Sequence, residues 1–420
     1  MLADMLINLL PASKAHVERT ILHRVREAYA HVPLYRELLA ARGLTPKDFR
    51  NLADYVENFP RTSSGEYRRV KKERGDEFVL DRRFVDRPVR RLLTGGSSGT
   101  PAHILRTERE YRRMHGANTV YTFLCAGVRP WHRIMGFLPP WDIVQQHHPL
   151  QRMKILERFD ASFLDSADTI IDRIVKNRVN VLFGRVSMMR MVAERCLERG
   201  LVLPRMAVLL PGAEIVTPDA RRLLRAVFKP RLYRELYGST ETGVLALKKD
   251  EGAYKVNFRS VFFALTDPVA AEDGTVWGEI AVTALLAAAA PMLMIELGDV
   301  VCCRRYEELL ALKTSIVTIS GRVSEYVLGG AGEKISASAF YSWLSDEPLV
   351  RQYRIVQDRI GACDIFLRLG DCSPEDRGRL VGKLRAMLGT AVRPSFHFVG
   401  SIPFDANGKT RVVVNRIAPS

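Results

Sequence analysis

Three segments combine residue types and spacing suited to chemistry on phosphate or acyl groups. The first is the run Thr94-Gly95-Gly96-Ser97-Ser98-Gly99-Thr100-Pro101. Consecutive small residues let backbone N–H groups converge on one point, and the hydroxyls add donors, which suits a triphosphate tail. Arg90, Arg91 and Arg106 flank it with positive charge. A plain flexible turn is the bland alternative. Gly95–Gly99 also spells G-x-S-x-G, the nucleophile turn of α/β-hydrolases. That reading needs a triad acid and a histidine late in the chain; His397 is the only late histidine, and no acid is spaced to join it.

The second segment, Tyr233 to Gly243, sets a short strand before the hydroxyl-rich turn Tyr237-Gly238-Ser239-Thr240-Glu241. Thr240 can bond a phosphate oxygen and Glu241 can hold a Mg²⁺ that bridges phosphates; an ordinary strand-to-loop cap is the competing reading. The third, Gly408-Lys409-Thr410, looks like the end of a Walker A loop, but Pro403 stands where the first glycine should be and only ten residues follow. Lys409 is then either a solvated turn lysine or a long cation delivered to a site elsewhere.

The elements that must position these segments follow from hydrophobic periodicity. Ala15 to Ala30 has helical spacing, and Thr45-Pro46 before Asp48 reads as a cap. From 114 to 300, helical stretches at Thr169–Asn177 and Ser187–Arg199 alternate with apolar runs at Val179–Phe183, Met206–Leu210 and Leu232–Leu236, the mark of βαβ units and an α/β sheet. After Gly321-Arg322 the pattern changes to helices at Ser336–Leu344 and Pro374–Leu388 with strands at Arg351–Val356 and Asp364–Leu369. The sequence therefore predicts an α/β fold with two domains, 1–322 and 323–420.

Composition bounds the function. At 420 residues, 47% hydrophobic and 26% charged, the chain has ordinary globular proportions, which excludes collagenous and disordered classes. Lys and Arg number 63 against 47 Asp and Glu, a net +16, so phosphates, nucleic acid or anionic lipid are attracted. Residues 61–113 hold 15 basic against 8 acidic residues, and the last 98 residues hold 13 against 10, so most of the excess lies in the larger domain. No helix-turn-helix, zinc-finger or RNP pattern is present, so no nucleic-acid partner is expected. Six dispersed cysteines without a C-x-x-C pair fit a reducing cytoplasm. Met1–Leu10 lacks a basic n-region, and the uncharged stretch Ile280–Ile295 contains Pro291 and is too short to span a bilayer, so neither signal peptide nor membrane span is expected.

The ordered set of segments resembles the adenylate-forming superfamily, in particular its phenylacetate-CoA ligase branch, over nearly the whole chain. His31-Val-Pro-Leu-Tyr35-Arg36, Leu44-Thr-Pro-Lys-Asp48 and Asn58-Phe-Pro60-Arg-Thr62 are similar to the opening helices of that branch. Thr94–Pro101 resembles its ATP loop, Gly212-Ala213-Glu214 the adenine-contacting turn, and Tyr237–Glu241 the Y-G-x-T-E motif. Gly278-Glu279-Ile280 through Leu297-Gly298-Asp299 resembles the segment ending in the ribose-binding Asp, Gly321-Arg322 the start of the hinge, and Pro403–Arg411 the catalytic-lysine motif.

The resemblance implies a large N-terminal adenylate-forming domain with mixed α/β sheets and a small mobile α+β C-terminal domain that delivers Lys409. It implies ATP-dependent activation of a carboxylic acid to an acyl-adenylate, then transfer to CoA with release of AMP and pyrophosphate. Lys409, Thr240 and Glu241 would be catalytic, with Mg²⁺ on Glu241. Residues 94–100, Gly212, Ala213, Glu214, Tyr237, Gly238, Ser239, Asp299 and Arg322 would bind ATP, and Trp131, Phe137 and Trp141 would line an acyl pocket, each equally explicable as core. The branch also contains enzymes that pass the group to an amine, a hydroxyl, a carrier protein or a deazaflavin, and members that dimerise; the basic segment near 61–91 can face a partner.

Some positions depart from the pattern. Gly95 stands where Ser is common and Thr100 where Lys is common. Met294-Ile295-Glu296-Leu297-Gly298-Asp299 lacks the Arg of R-Y-x-T-G-D. Tyr254–Phe258 lacks Cys and His, so the structural zinc of some members is not expected. His147-His148 reads as surface or loop, and Cys302-Cys303 as a strand pair. A nucleotide-binding pseudo-enzyme is the remaining alternative, and the presence of both Glu241 and Lys409 argues against it.

Overall fold

Helices begin where short polar side chains cap them. Ser13 accepts from the His16 amide to start α1 (Lys14–His31), whose buried Val17, Ile21, Val25 and Ala28 recur at three- and four-residue spacing. Pro33 opens α2 (Pro33–Ala40). A Thr45/Asp48 capping box shapes the short turn Pro46–Asp48, and Asn51 caps α3 (Leu52–Asn58). Ser63, at the end of β1 (Thr62–Ser63), caps α4 (Ser64–Arg74). Then β2 (Val89–Leu93) and β3 (His103–Thr107) pair antiparallel, with Leu93 opposite His103. These two strands flank the Gly-rich run, which itself lies outside the described residues. A Thr107/Glu110 capping box starts the single turn α5 (Glu108–Tyr111), followed by a π-helical turn at Arg112–Ala117 and by α6 (Asn118–Ala126).

The structure is a computed structural model describing residues 12–93, 103–138, 155–323, 325–345, 347–403, 405 and 410–417. The chain forms two compact units, one of residues 1–130 with 232–319 and the other of 131–231 with 320–420.

In the second unit the alternation predicted from sequence is present: β4 (Arg133–Phe137), β5 (Glu157–Ala161), α7 (Ala167–Lys176), β6 (Val181–Arg185), α8 (Val186–Glu198), β7 (Val208–Gly212) and α9 (Pro218–Phe228). The strands run parallel in the order β7-β6-β4-β5. All five residues of β7 are buried, as a parallel strand covered on both faces requires.

From residue 232 onward the pattern differs from a continued βαβ series. In the first unit β8 (Leu232–Ser239), β9 (Gly243–Lys249), β10 (Tyr254–Val256), β11 (Val261–Ala270), β12 (Val276–Ala284), β13 (Ile295–Arg304) and β14 (Ser315–Arg322) lie in the order β11-β12-β13-β14-β10-β9-β8, and β1 pairs parallel with β13. The β8–β9, β9–β10 and β11–β12 connections are too short for a crossover helix, so those pairs are antiparallel. Helices α1 to α4 share one core with this sheet, through Ile21, Leu39 and Tyr55 on the helices and Phe262, Phe263 and Val301 on the strands.

Residues after 325 form a module with its own core. It contains the hairpin β15 (Tyr326–Leu328) and β16 (Lys334–Ser336), then α10 (Ala337–Ser345), β17 (Val350–Arg359), β18 (Ala362–Leu369), α11 (Pro374–Leu388), β19 (Arg393–Phe398) and β20 (Val413–Asn415), in a sheet of order β19-β18-β17-β20. Phe340, Ile355, Ile365, Leu380 and Leu384 fill that core. The fully buried Gln357 joins its parts: its amide nitrogen donates to the Leu328 and Ala362 carbonyls at 2.7 and 3.2 Å, and its oxygen accepts from the Leu328 amide at 2.6 Å.

Ion pairs tie this module to α8 and α9 within the second unit. Asp219, its side chain 9% exposed, lies 3.0 Å from Arg190 and 3.2 Å from Arg351, and Glu194 lies 2.8 Å from Arg190 and 2.5 Å from Arg368. Asp219→Ala leaves the guanidinium groups of Arg190, Arg351 and, at 3.9 Å, Arg222 without this carboxylate. The expected cost is at or below the low end of the roughly 3–5 kcal/mol that follows loss of one partner of a buried pair, because Arg351 is half exposed. It should appear as a lower urea midpoint, with a smaller shift in 0.5 M salt than in dilute buffer if the loss is electrostatic.

Candidate functional site

The turn between β8 and β9 is shaped by two glycines. A Cβ at Gly238 would lie 2.5 Å from the Gly243 carbonyl oxygen, so only glycine lets the strands close at this point. Gly243 holds φ +72° in the left-handed region, and a Cβ there would lie 3.1 Å from the Met114 carbonyl oxygen of the π-helical turn. The buried Thr242 shares a 3.2 Å hydrogen bond with the Ser239 hydroxyl. The half-buried Thr240 and Glu241 between them have no side-chain hydrogen bond or ion pair among the described residues. The backbone is fixed while a hydroxyl and a carboxylate remain uncommitted.

Beside the turn, β3 delivers a fully buried arginine. Arg106 donates through Nη1 to the carbonyls of Leu105 at 2.7 Å and Ala290 at 3.0 Å, and through Nη2 to that of Glu241 at 2.8 Å. Glu110 complements it, accepting from the Thr107 amide at 2.8 Å and hydroxyl at 2.9 Å, the Ala289 amide at 2.8 Å and the Ala288 amide. The other two cations flanking the Gly-rich run are at the surface, Arg90 paired with Glu108 and Arg91 with Asp76 at 2.6 Å. His115, next to Gly243, has its pKa pushed down to about 4 by burial and then by the Arg106 charge.

Of the sequence-predicted residues, the first unit brings Tyr237 and Asp299 together. The Tyr237 hydroxyl donates to Asp299 Oδ2 at 2.8 Å, which orients the carboxylate across β8 and β13. Glu279, on β12, has its pKa raised to about 7 by burial, and further by the charges of Glu296, Asp299 and Asp267. Met294, where the family's Arg would stand, is fully buried with φ +48°.

The second unit carries Gly212, Ala213 and Glu214 after β7. Both Glu214 oxygens accept from Ser187, Oε2 from its amide at 2.7 Å and Oε1 from its hydroxyl at 2.8 Å, so this carboxylate caps the start of α8. Ala213 takes φ +62°, a strained conformation for a residue with a Cβ. Phe137 is fully buried at the end of β4, Trp131 is 71% exposed, and Arg322 ends β14. The loop of the lysine motif is clasped at its base, where Asp405 accepts from the Arg411 amide at 3.2 Å and Nε at 3.1 Å and Arg354 donates to the carbonyls of Arg411 and Pro403. Residues 94–100, Trp141, His147, His148, Lys409 itself and hinge residue Ser324 lie outside the described residues.

From the sequence, Glu110, Ser187 and Asp405 have no assigned role, Glu279 stands only as part of the segment leading to Asp299, and Arg106 counts only as flanking charge. Two signals were available: an arginine directly after the apolar Ile104 and Leu105, and the T-x-x-E pattern at Thr107–Glu110. The contact between Ser187 and Glu214, 27 residues apart, has no local signature.

No protein-family model matches the sequence, and no curated protein matches it. Solved structures do. A 2-hydroxyisobutyryl-CoA ligase in the postadenylation state, in complex with R3-HIB-AMP, superposes with a TM-score of 0.75 at 16% identity, over 97% of this chain and 91% of that one. The same ligase with 2-HIB-AMP and CoA in the thioesterification state gives 0.60 at 16% identity, over 97% and 90%. An o-succinylbenzoate-CoA synthetase from Bacillus subtilis with its acyl-adenylate intermediate gives 0.52 at 18% identity, over 76% and 66%. The chain has the fold of these ligases, the adenylate-forming fold that the sequence resemblance implies, and at such identity the likeness is one of fold.

The Glu279 shift gives a sign for pH dependence. A carboxyl with a folded-state pKa near 7 and an ordinary value of 4.5 is ionised in the folded protein only at a penalty. Its contribution is fully favourable below about pH 4.5 and is lost as pH rises through 7. Thermal unfolding followed from pH 5 to 8 is expected to show a decline that Glu279→Gln flattens; an identical slope in the variant would remove Glu279 as the cause.

Proposed function

We propose that the chain activates a carboxylic acid with ATP to an acyl-adenylate and transfers the acyl group to CoA, releasing AMP and pyrophosphate. The observation that carries this reading is the likeness over 97% of the chain to a ligase holding an acyl-AMP. The same ligase has been captured with CoA, which favours CoA over an amine, hydroxyl or carrier-protein acceptor. The resemblance to phenylacetate-CoA ligases favours an aromatic acid.

The residues present fit the groups this chemistry needs. Asp299, oriented by Tyr237, would hold the ribose hydroxyls of ATP. Thr240 and Glu241, uncommitted on a fixed turn, suit a phosphate oxygen and a Mg²⁺. When bound, Mg²⁺ supplies positive charge between phosphate oxygens. Lys409, on residues 323–420 acting as a lid, would stabilise the charge that develops as the carboxylate attacks the α-phosphorus. The turn at 212–214 faces adenine, and Arg322 contacts ribose or phosphate near a hinge at 324–325. The basic surface draws CoA or an acidic carrier protein by the same attraction; a cytoplasmic setting belongs to this reading, and a homodimer is one assembly open to it.

Pyrophosphate release by the full chain, measured with ATP and Mg²⁺ across aromatic, heteroaromatic and aliphatic acids without CoA, tests the reading. Release that depends on the acid and falls by on the order of 10² to 10³ in Lys409→Ala is expected, the usual loss for one preorganised donor. No release with any acid despite ATP binding would overturn acid activation. Adding CoA to the responding acid then reads thioester formation.

A further inference from the structure

A guanidinium removed from water keeps its charge, so its neighbours must satisfy it. Arg106 is 0% exposed, and its three hydrogen bonds all go to main-chain carbonyls, those of Leu105, Ala290 and Glu241. These belong to β3, to the segment between β12 and β13, and to the turn between β8 and β9. Glu110, three residues beyond Thr107 in its capping box, holds Ala288 and Ala289 of the same middle segment by their amides. Arg106 therefore ties the carbonyl of Glu241 to a frame that is itself locked in place. The Met114 carbonyl of the π-helical turn lies close to Gly243, 3.1 Å from where a Cβ would stand, and the positive φ of Gly243 strains any side chain there. The Glu241 turn is gripped at two points two residues apart, and its carboxylate, within the field of the Arg106 charge, makes no hydrogen bond or ion pair among the described residues.

We propose that Arg106 is a positioning residue for Glu241, acting through the Glu241 carbonyl to hold the carboxylate where it meets a nucleotide-bound divalent cation. This rests on the adenylation reading above. A fork of two nitrogens anchored on three carbonyls fixes orientation as well as distance, which a lysine ammonium, a point charge on a flexible stem, does not reproduce. Loss of the fork lets the turn move and leaves the Glu241 and Ala290 carbonyls unpaired. The cation contact should weaken while the ribose contact at Asp299, which Arg106 does not touch, is retained.

The test is ATP binding by the full-length protein, titrated calorimetrically at Mg²⁺ concentrations from zero to 10 mM, with thermal melts in parallel. The wild-type chain is compared with Arg106→Lys and Arg106→Met. For Arg106→Met the Mg²⁺ concentration giving half of the affinity gain should rise at least fivefold, with ATP affinity in the absence of Mg²⁺ within twofold of wild type. Arg106→Lys, which keeps the charge and is the safer variant for folding, should show a shift of about threefold. Unchanged Mg²⁺ dependence in Arg106→Lys together with a folded Arg106→Met that is also unchanged overturns the proposal. So does an equal loss of affinity with and without Mg²⁺, the mark of a merely structural residue. If Arg106→Met does not fold, Arg106→Lys alone decides. If the wild-type chain binds no ATP at any Mg²⁺ concentration, the adenylation reading itself fails and Arg106 loses this role with it.

Discussion

Burying a guanidinium with only carbonyl oxygens as hydrogen-bond partners is costly unless those oxygens are held in place, and Arg106 makes the first unit meet that condition. The carbonyls it collects come from residues 105, 241 and 290, so the charge is satisfied only when three distant parts of the chain are in register. Glu110 supplies the complementary half by accepting from amides of the same 288–289 segment. An arginine and a glutamate four positions apart, straddling a strand end and a helix start, thereby fix the long connection between β12 and β13 and the turn after β8. The π-helical turn that follows extends the grip to Gly243.

Within each unit taken by itself, the polar side chains fall into two groups. Glu110, Glu214 and Asp405 have their acceptors committed to backbone or neighbouring donors, which is structural employment for a carboxylate. Asp299 accepts from the Tyr237 hydroxyl through Oδ2. Thr240 and Glu241 stand on a turn whose backbone is secured by others, so ordering them for a ligand requires little further loss of conformational freedom. A site assembled this way has its reactive groups chosen by what they do not bond within the protein.

The second unit follows a different logic. Its parallel strands are covered on both faces and read as buried runs, while its C-terminal module holds together through the Gln357 amide and its own apolar core. Ion pairs link that module to helices α8 and α9, Arg351 with Asp219 and Arg368 with Glu194. Partly solvated ion pairs are screened and individually modest, so such a junction is easier to open than a hydrophobic one of the same extent.

Much of this was legible in the residues themselves. The cap at Thr45, the helical spacing in α1, the βαβ alternation through β7 and the helix at Pro374–Leu388 are local signals, because capping and amphipathic periodicity act within a turn or two of chain. The order of the Gly-rich, Y-G-x-T-E and G-K-x-R segments was enough to indicate the adenylate-forming fold. The antiparallel sheet from β8 onward was not, since a short apolar run does not say which strand it will pair with. Nor was the use of each charged group: Arg106 looked like one more cation beside a phosphate loop, and nothing local pairs Glu214 with Ser187. Which carboxylate is committed and which is free depends on partners as much as 179 residues away, as for Glu110 with Ala289, and only the folded chain brings them within hydrogen-bonding reach.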